Sequence, residues 1–141
     1  KCDLALEQGA QLVTGGVAGG QSGYFVQPTV LRDISAEMDI FQSEVFGPVL
    51  GIMPFDTEQQ AWDLANDTDY GLVAGIFSND INRCLRGSRA LRAGQVFVNE
   101  WYAGGIETPF GGTGLSGFGR EKGQEALYSY VQTKNIAIRI S

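Results

Sequence analysis

At 141 residues and 43% hydrophobic side chains, the chain has the length of one domain and enough apolar material for a core without disulfide support. A formal charge of −6, with no run of Lys or Arg, lacks the electrostatic footprint of a nucleic-acid or membrane-surface binder, so both partners are excluded. There is no histidine, and Cys2 and Cys84 lack CxxC spacing, which excludes a structural zinc site and a Ser-His or Cys-His pair within this polypeptide.

The 20 glycines exceed the ordinary share and mark loops with special backbone demands, where function is to be sought. No apolar run reaches membrane-spanning length and no signal peptide is visible, so a reducing, cytoplasmic setting is expected. Lys1-Cys2-Asp3 already stands inside a helix-like pattern, as in a piece of something longer.

Residues 3–8 read as the end of a helix closed by Gly9 in a left-handed cap. A strand over 11–14 and a loop rich in glycine, including 18–23, follow. Residues 24–31 alternate as a strand, which Pro28 places at an edge or a bulge. Ser35 opens a helical turn over 36–41.

The corner Ser43-Glu44-Val45-Phe46-Gly47-Pro48-Val49 sets a carboxylate and an aromatic ring beside a Gly-Pro break. Pro48 fixes its own φ and keeps Gly47 out of helix, so the turn ends before it and a strand over 49–55 begins after it. Two readings of Glu44 and Phe46 follow: a cap and a core residue, or an acceptor for sugar hydroxyls beside a flat apolar face for a ring.

Thr57-Glu58-Gln59-Gln60 is a capping box for a helix to Asp67 with Ala61, Leu64 and Ala65 on one face. A strand over 73–78 comes next, then a helix capped by Asp80 whose stripe is Ile81, Cys84, Leu85, Ser88 and Leu91. Cys84 reads as a small buried hydrophobe on that stripe. Gly94 ends the helix and 95–99 is a strand. This succession predicts an α/β fold with a largely parallel sheet covered by helices. Residues 121–133 are expected as a helix with Ala126, Leu127, Tyr130 and Val131 inward, and 136–140 as a terminal strand whose free edge pairs with another subunit.

Gly112-Thr113-Gly114-Leu115-Ser116-Gly117 satisfies G-x-G-x-x-G but fails as a dinucleotide fingerprint, because the preceding strand ends near Asn99 and no acidic residue follows Glu125. It reads instead as an extended segment crossing close beneath other backbone, with Phe110 and Phe118 as anchors and Arg120-Glu121 opening the next helix.

Glu44-Val45-Phe46-Gly47-Pro48-Val49, Asn66-Asp67-Thr68-Asp69-Tyr70-Gly71-Leu72, and Pro109-Phe110-Gly111-Gly112 with Ser116-Gly117-Phe118-Gly119-Arg120-Glu121-Lys122-Gly123 occur in the order and spacing of NAD(P)-dependent aldehyde dehydrogenases. The chain resembles the C-terminal portion of that family over essentially its whole length. The resemblance implies that residues 1–134 are part of the catalytic domain and 135–141 an oligomerisation strand of a dimer or tetramer. It implies that Glu44 binds the nicotinamide ribose of NAD or NADP and that Phe46 packs beside the nicotinamide. It further implies that Trp101, Tyr102 and Phe110 line the aldehyde tunnel and that Glu121 belongs to a proton path. Aromatic walls suit an apolar or cationic aldehyde, and Trp101, Tyr102 and Glu107 hint at a polar or amino aldehyde. The position that is often Lys in the family is Gly114 here. The family's nucleophilic Cys and general-base Glu are absent, so the small-molecule aldehyde would not be turned over by this chain alone.

Overall fold

The computed structural model describes residues 1–17, 19–20 and 22–141, so that Ala18 and Gln21, in the loop expected over 18–23, lie outside the described residues. The chain divides into two compact units, Lys1–Thr68 and Asp69–Ser141, each with its own sheet.

In the first unit, α1 (Cys2–Glu7) ends as expected at Gly9, whose φ of 110° lets Ala10 N–H reach back to the Ala5 carbonyl at 2.9 Å. Strand β1 (Gln11–Thr14) pairs antiparallel with β2 (Thr29–Arg32), and β2 pairs parallel with β3 (Val49–Ile52). The short helix α2 (Asp39–Gln42) lies in the crossover. The core gathers Ala5, Ala10, Leu31, Ile34 and Met38, with Leu31, on the middle strand, fully buried. Helix α3 (Glu58–Asn66) closes the unit.

The strand expected over 24–31 is shorter than its pattern: β2 starts only at Thr29, and Tyr24 and Phe25 are exposed. Pro28 supplies no N–H for a ladder, and the chain is held there by the buried Thr29 hydroxyl instead, which accepts from Gly16 N–H and donates to the Gln27 carbonyl, both at 2.9 Å. Gly15, at φ 78°, has the Pro28 carbonyl where a Cβ would stand.

In the second unit, β4 (Val73–Ile76) and β5 (Gln95–Val98) are parallel and joined by α4 (Ile81–Ala90), a right-sized β-α-β crossover. Asp80 caps α4, its carboxylate accepting from Asn82 and Arg83 N–H at 2.9 and 3.2 Å. Of the expected stripe, Cys84 and Leu91 are buried whereas Ile81 and Leu85 are exposed; Gly87 completes the buried face. Among the described residues, three strand pairs, two of them parallel, thus give a mixed α/β fold.

The segment after β5 does cross close to other backbone. Gly94 has the Gly111 carbonyl where a side chain would be, Thr113 N–H bonds the Gly71 carbonyl at 3.1 Å, and Leu115 N–H bonds Asp69 at 2.8 Å. Phe118 is no anchor: it is fully exposed, and the Arg120 guanidinium does that work by donating to the Gly112 and Gly119 carbonyls at 3.0 and 2.6 Å. Nor does a helix open at Arg120-Glu121. Gly123, at φ 59° and ψ −179°, blocks a helical start, and a 3-10 helix over Gln124–Tyr130 forms with no buried residue. Leu127, Tyr130 and Val131 therefore face outward rather than inward. Among the described residues, 136–140 form no strand and pair with none, and Ile136, Ile138 and Ile140 are exposed. Among the described residues no helix is long and apolar enough to cross a membrane.

Candidate functional site

Two groups of side chains carry the expected chemistry, one in each unit. In the first, the chain leaves α2 through Ser43 in extended conformation and enters β3 at Val49, so Glu44, Val45 and Phe46 form the approach to a parallel strand. Thr29 N–H bonds the Pro48 carbonyl at 2.8 Å and Val49 N–H bonds that of Gly47 at 2.8 Å, which fixes the corner to the sheet. Its other end is tied to α1: Lys1 Nζ donates to the Asp39 carboxylate at 2.6 Å and to Ser43 Oγ at 3.1 Å. The Lys1 bond holds the Asp39 carboxyl below its usual range, and the Ser35 hydroxyl does the same for Glu37.

Glu44 and Phe46 line one open groove of about 600 Å³, whose remaining walls include Ile34, Ile40, Phe41 and Met53. Phe46 is 92% exposed with φ 34°, a left-handed conformation that a bulky residue adopts only when its surroundings hold it there. The ring is thus presented, not packed. A carboxylate and a free ring face lining one groove suit a sugar hydroxyl pair and an adjoining planar heterocycle. Within this chain Phe46 is not part of the core.

In the second unit, Trp101, Tyr102, Phe110 and Glu121 follow β5 as two pairs. Trp101 and Tyr102 tilt against the buried Phe97, with ring centroids 5.9 and 6.3 Å away, and the Trp101 ring covers Gly75, where a Cβ would stand 3.0 Å from it. Phe110 and Glu121 exchange two backbone hydrogen bonds of 2.7 Å. The Glu121 side chain is exposed, so its backbone rather than its carboxylate does the joining.

Sequence reasoning missed Lys122, which sits among these residues: Nζ donates to Tyr102 Oη at 3.0 Å and lies 5.3 Å from the Tyr102 ring and 5.8 Å from that of Phe110. Its signal was present only as a Lys inside Arg120-Glu121-Lys122-Gly123, next to a loop holding three aromatic residues. The cysteines join neither group. Cys84 is buried with its thiol 3.7 Å from the Ser78 carbonyl, and Cys2 packs on the first unit's core. No set of three or more His, Cys, Asp and Glu suited to a metal ion occurs among the described residues.

Relatives and solved structures place the chain. It is 46% identical over 134 residues to the peroxisomal aminoaldehyde dehydrogenase 1 of Pisum sativum, covering 94% of this chain and 27% of that protein. It is 44% identical over 135 residues to the cytosolic aldehyde dehydrogenase 1 of Rattus norvegicus, covering 96% and 27%. Its fold superposes on betaine aldehyde dehydrogenase from Staphylococcus aureus in complex with NAD+ with a TM-score of 0.85 at 40% identity, covering 92% of this chain and 26% of that one. The chain spans about a quarter of the length of these relatives. The model of the aldehyde dehydrogenase family matches residues 1–136, and the chain belongs to that family.

Proposed function

We propose that this chain is the C-terminal portion of an enzyme that oxidises a small-molecule aldehyde to a carboxylic acid with NAD or NADP as hydride acceptor. Residues 1–134 then belong to the catalytic domain and 135–141 to an oligomerisation strand. The observation that carries the reading is the groove that Glu44 and the outward-turned Phe46 both line. There the Glu44 carboxylate accepts from the nicotinamide ribose hydroxyls and the Phe46 ring covers one face of the nicotinamide, with Phe41 and Met53 adding apolar lining. The cofactor, when bound, supplies the oxidising power. NAD is favoured by the NAD+ held in the solved S. aureus relative.

In this reading Trp101, Tyr102 and Phe110 supply an aldehyde wall, and the exposed Glu121 carboxylate serves the proton path, its backbone tied to Phe110. The exposed Ile136, Ile138 and Ile140 support sheet pairing with a second copy in a dimer or tetramer. A cytoplasmic location fits the cytosolic relatives. Neither Cys2 nor Cys84 is placed to attack an aldehyde, so the 141 residues alone are expected to be inactive.

That absent nucleophile also supports a second reading, a catalytically inactive stand-alone assembly or binding module. The experiment that separates the two assays the native gene product, captured with an antibody to this chain, for its denatured mass and for aldehyde-dependent reduction of NAD and NADP. A species several times heavier than 15.2 kDa with that activity carries the first reading; a 15.2 kDa species without it carries the second.

A further inference from the structure

The turn that leads into Glu44 does not hold itself. Helix α2 is a single turn of four residues, too short to be stable alone, and Met38 before it offers no side-chain oxygen to its N–H groups. Side chains from elsewhere hold it instead. Gln8, the C-terminal cap of α1, accepts from Asp39 N–H at 3.2 Å through Oε1, and Gln42 Nε2 donates to the Asp67 carbonyl at 2.7 Å. Lys1, at the start of α1, spans the whole turn: Nζ donates to the carboxylate of its first residue, Asp39, at 2.6 Å and to the hydroxyl of its cap, Ser43, at 3.1 Å. Ser43 and Glu44 both line the groove. On the far side of Glu44 the corner is fixed by the 2.8 Å bond from Thr29 N–H to the Pro48 carbonyl, so Glu44 stands between two anchors.

The charges around the turn single out the Lys1 anchor. Residues 1–68 hold ten Asp and Glu but only two cations, Lys1 and Arg32. Arg32 is at the end of β2 away from Pro48, where it donates to Gln11 Oε1 at 2.5 Å and lies 3.8 Å from the Asp33 carboxylate. The elements that meet at the turn otherwise bring acids alone: Asp3 and Glu7 on α1, Glu37 and Asp39 at α2, Glu58, Asp63 and Asp67 on α3, and Glu44 itself. Without the Lys1 ammonium, the Asp39 charge is unopposed next to the corner and Ser43 Oγ loses its donor.

We propose that Lys1 is a positioning residue for Glu44: by tying Asp39 and Ser43 to α1, its ammonium fixes the point at which the chain leaves α2 and with it the reach of the Glu44 carboxylate in the groove. This rests on the nicotinamide-side reading of Glu44 above and extends it to the start of α1. An exposed ion pair adds little stability, so the tie acts on placement rather than on folding.

The test follows single-turnover hydride transfer by the intact enzyme in Lys1→Met, Lys1→Arg, Glu44→Gln and the double variant of Lys1→Met with Glu44→Gln. Lys1→Met is expected to slow the transfer roughly threefold and Lys1→Arg to restore it, because a small displacement of a positioned group slows the step that depends on its placement. In the Glu44→Gln background Lys1→Met is expected to add no further loss, the mark of an effect that passes through Glu44. A wild-type rate in Lys1→Met, or the same loss in both backgrounds, overturns the proposal and leaves the proposed function standing. If Glu44→Gln itself transfers hydride at the wild-type rate, or no aldehyde is oxidised, the proposed function falls, and limited proteolysis of the native gene product decides on the tie. Faster cleavage after Glu44 by a glutamate-specific protease in Lys1→Met, reversed in Lys1→Arg, upholds it; equal cleavage in wild type and both variants overturns it.

Discussion

Leu31 and Ile138 are aliphatic side chains in segments of similar alternation, yet Leu31 is fully buried and Ile138 is 79% exposed. The difference lies in their neighbours. Leu31 stands in the middle strand of the order β1-β2-β3, paired with Leu12 on one side and Gly51 on the other, and Ile34 and Met38 join it in one core. Among the described residues, 136–140 have no strand beside them. Burial in this chain follows from which backbone is available to pair, and hydrophobicity alone does not produce it.

The contrast is sharpened most by Leu31→Ala, expected to cost about 3 kcal/mol in the first unit, measured by denaturant unfolding, because it opens a cavity in the core shared with Ala5, Ala10, Ile34 and Met38. Asp80→Ala is expected to cost about 1 kcal/mol in the second unit, since two N–H groups at the start of α4 lose their acceptor. A smaller effect belongs to the exposed Lys1–Asp39 pair. Because the folded state lowers the Asp39 pKa, its stabilisation is fully present above the unfolded value of about 4 and is lost as pH falls through the folded value. Acid titration of unfolding should therefore be flatter below about pH 4 in Asp39→Asn than in wild type. Ile138→Ser is expected to change unfolding of the chain by less than about 0.5 kcal/mol. A large loss there would break the contrast, by showing that the tail packs after all.

The same contrast explains what was legible in the sequence. Elements whose signals are local appear where their residues put them: the Gly9 cap of α1, the Thr57 and Asp80 caps, and the apolar runs of β4 and β5. The capping box is legible even in its chemistry, since Thr57 Oγ1 accepts from Gln60 N–H at 3.1 Å; the Gln60 amide, however, bonds Asp56 N–H at 2.7 Å, one residue earlier than the motif places it. Elements that need a partner were misread. The pattern over 121–133 promised an inward face, but a face is inward only against something, and Gly123 breaks its start. Pro28 shortened β2 for a local reason that its position did foreshadow.

In the site, the corner around Glu44 was legible because Gly47-Pro48 dictates where helix must stop and strand begin. Presentation of the Phe46 ring was not, since a positive φ at a Phe carries no mark in its own sequence. Lys122 escaped for a related reason: its rings lie 12 and 20 positions away, brought to it by the backbone pairing of Phe110 with Glu121.

The most direct test of the central claim, that Glu44 and Phe46 form the nicotinamide side of an aldehyde dehydrogenase, is single-turnover hydride transfer by the intact enzyme carrying Glu44→Gln. The rate is expected to fall by roughly tenfold or more, with less effect on the later hydrolytic step, because a mispositioned ring slows only the transfer that depends on its placement. A rate equal to wild type would take Glu44 out of the site.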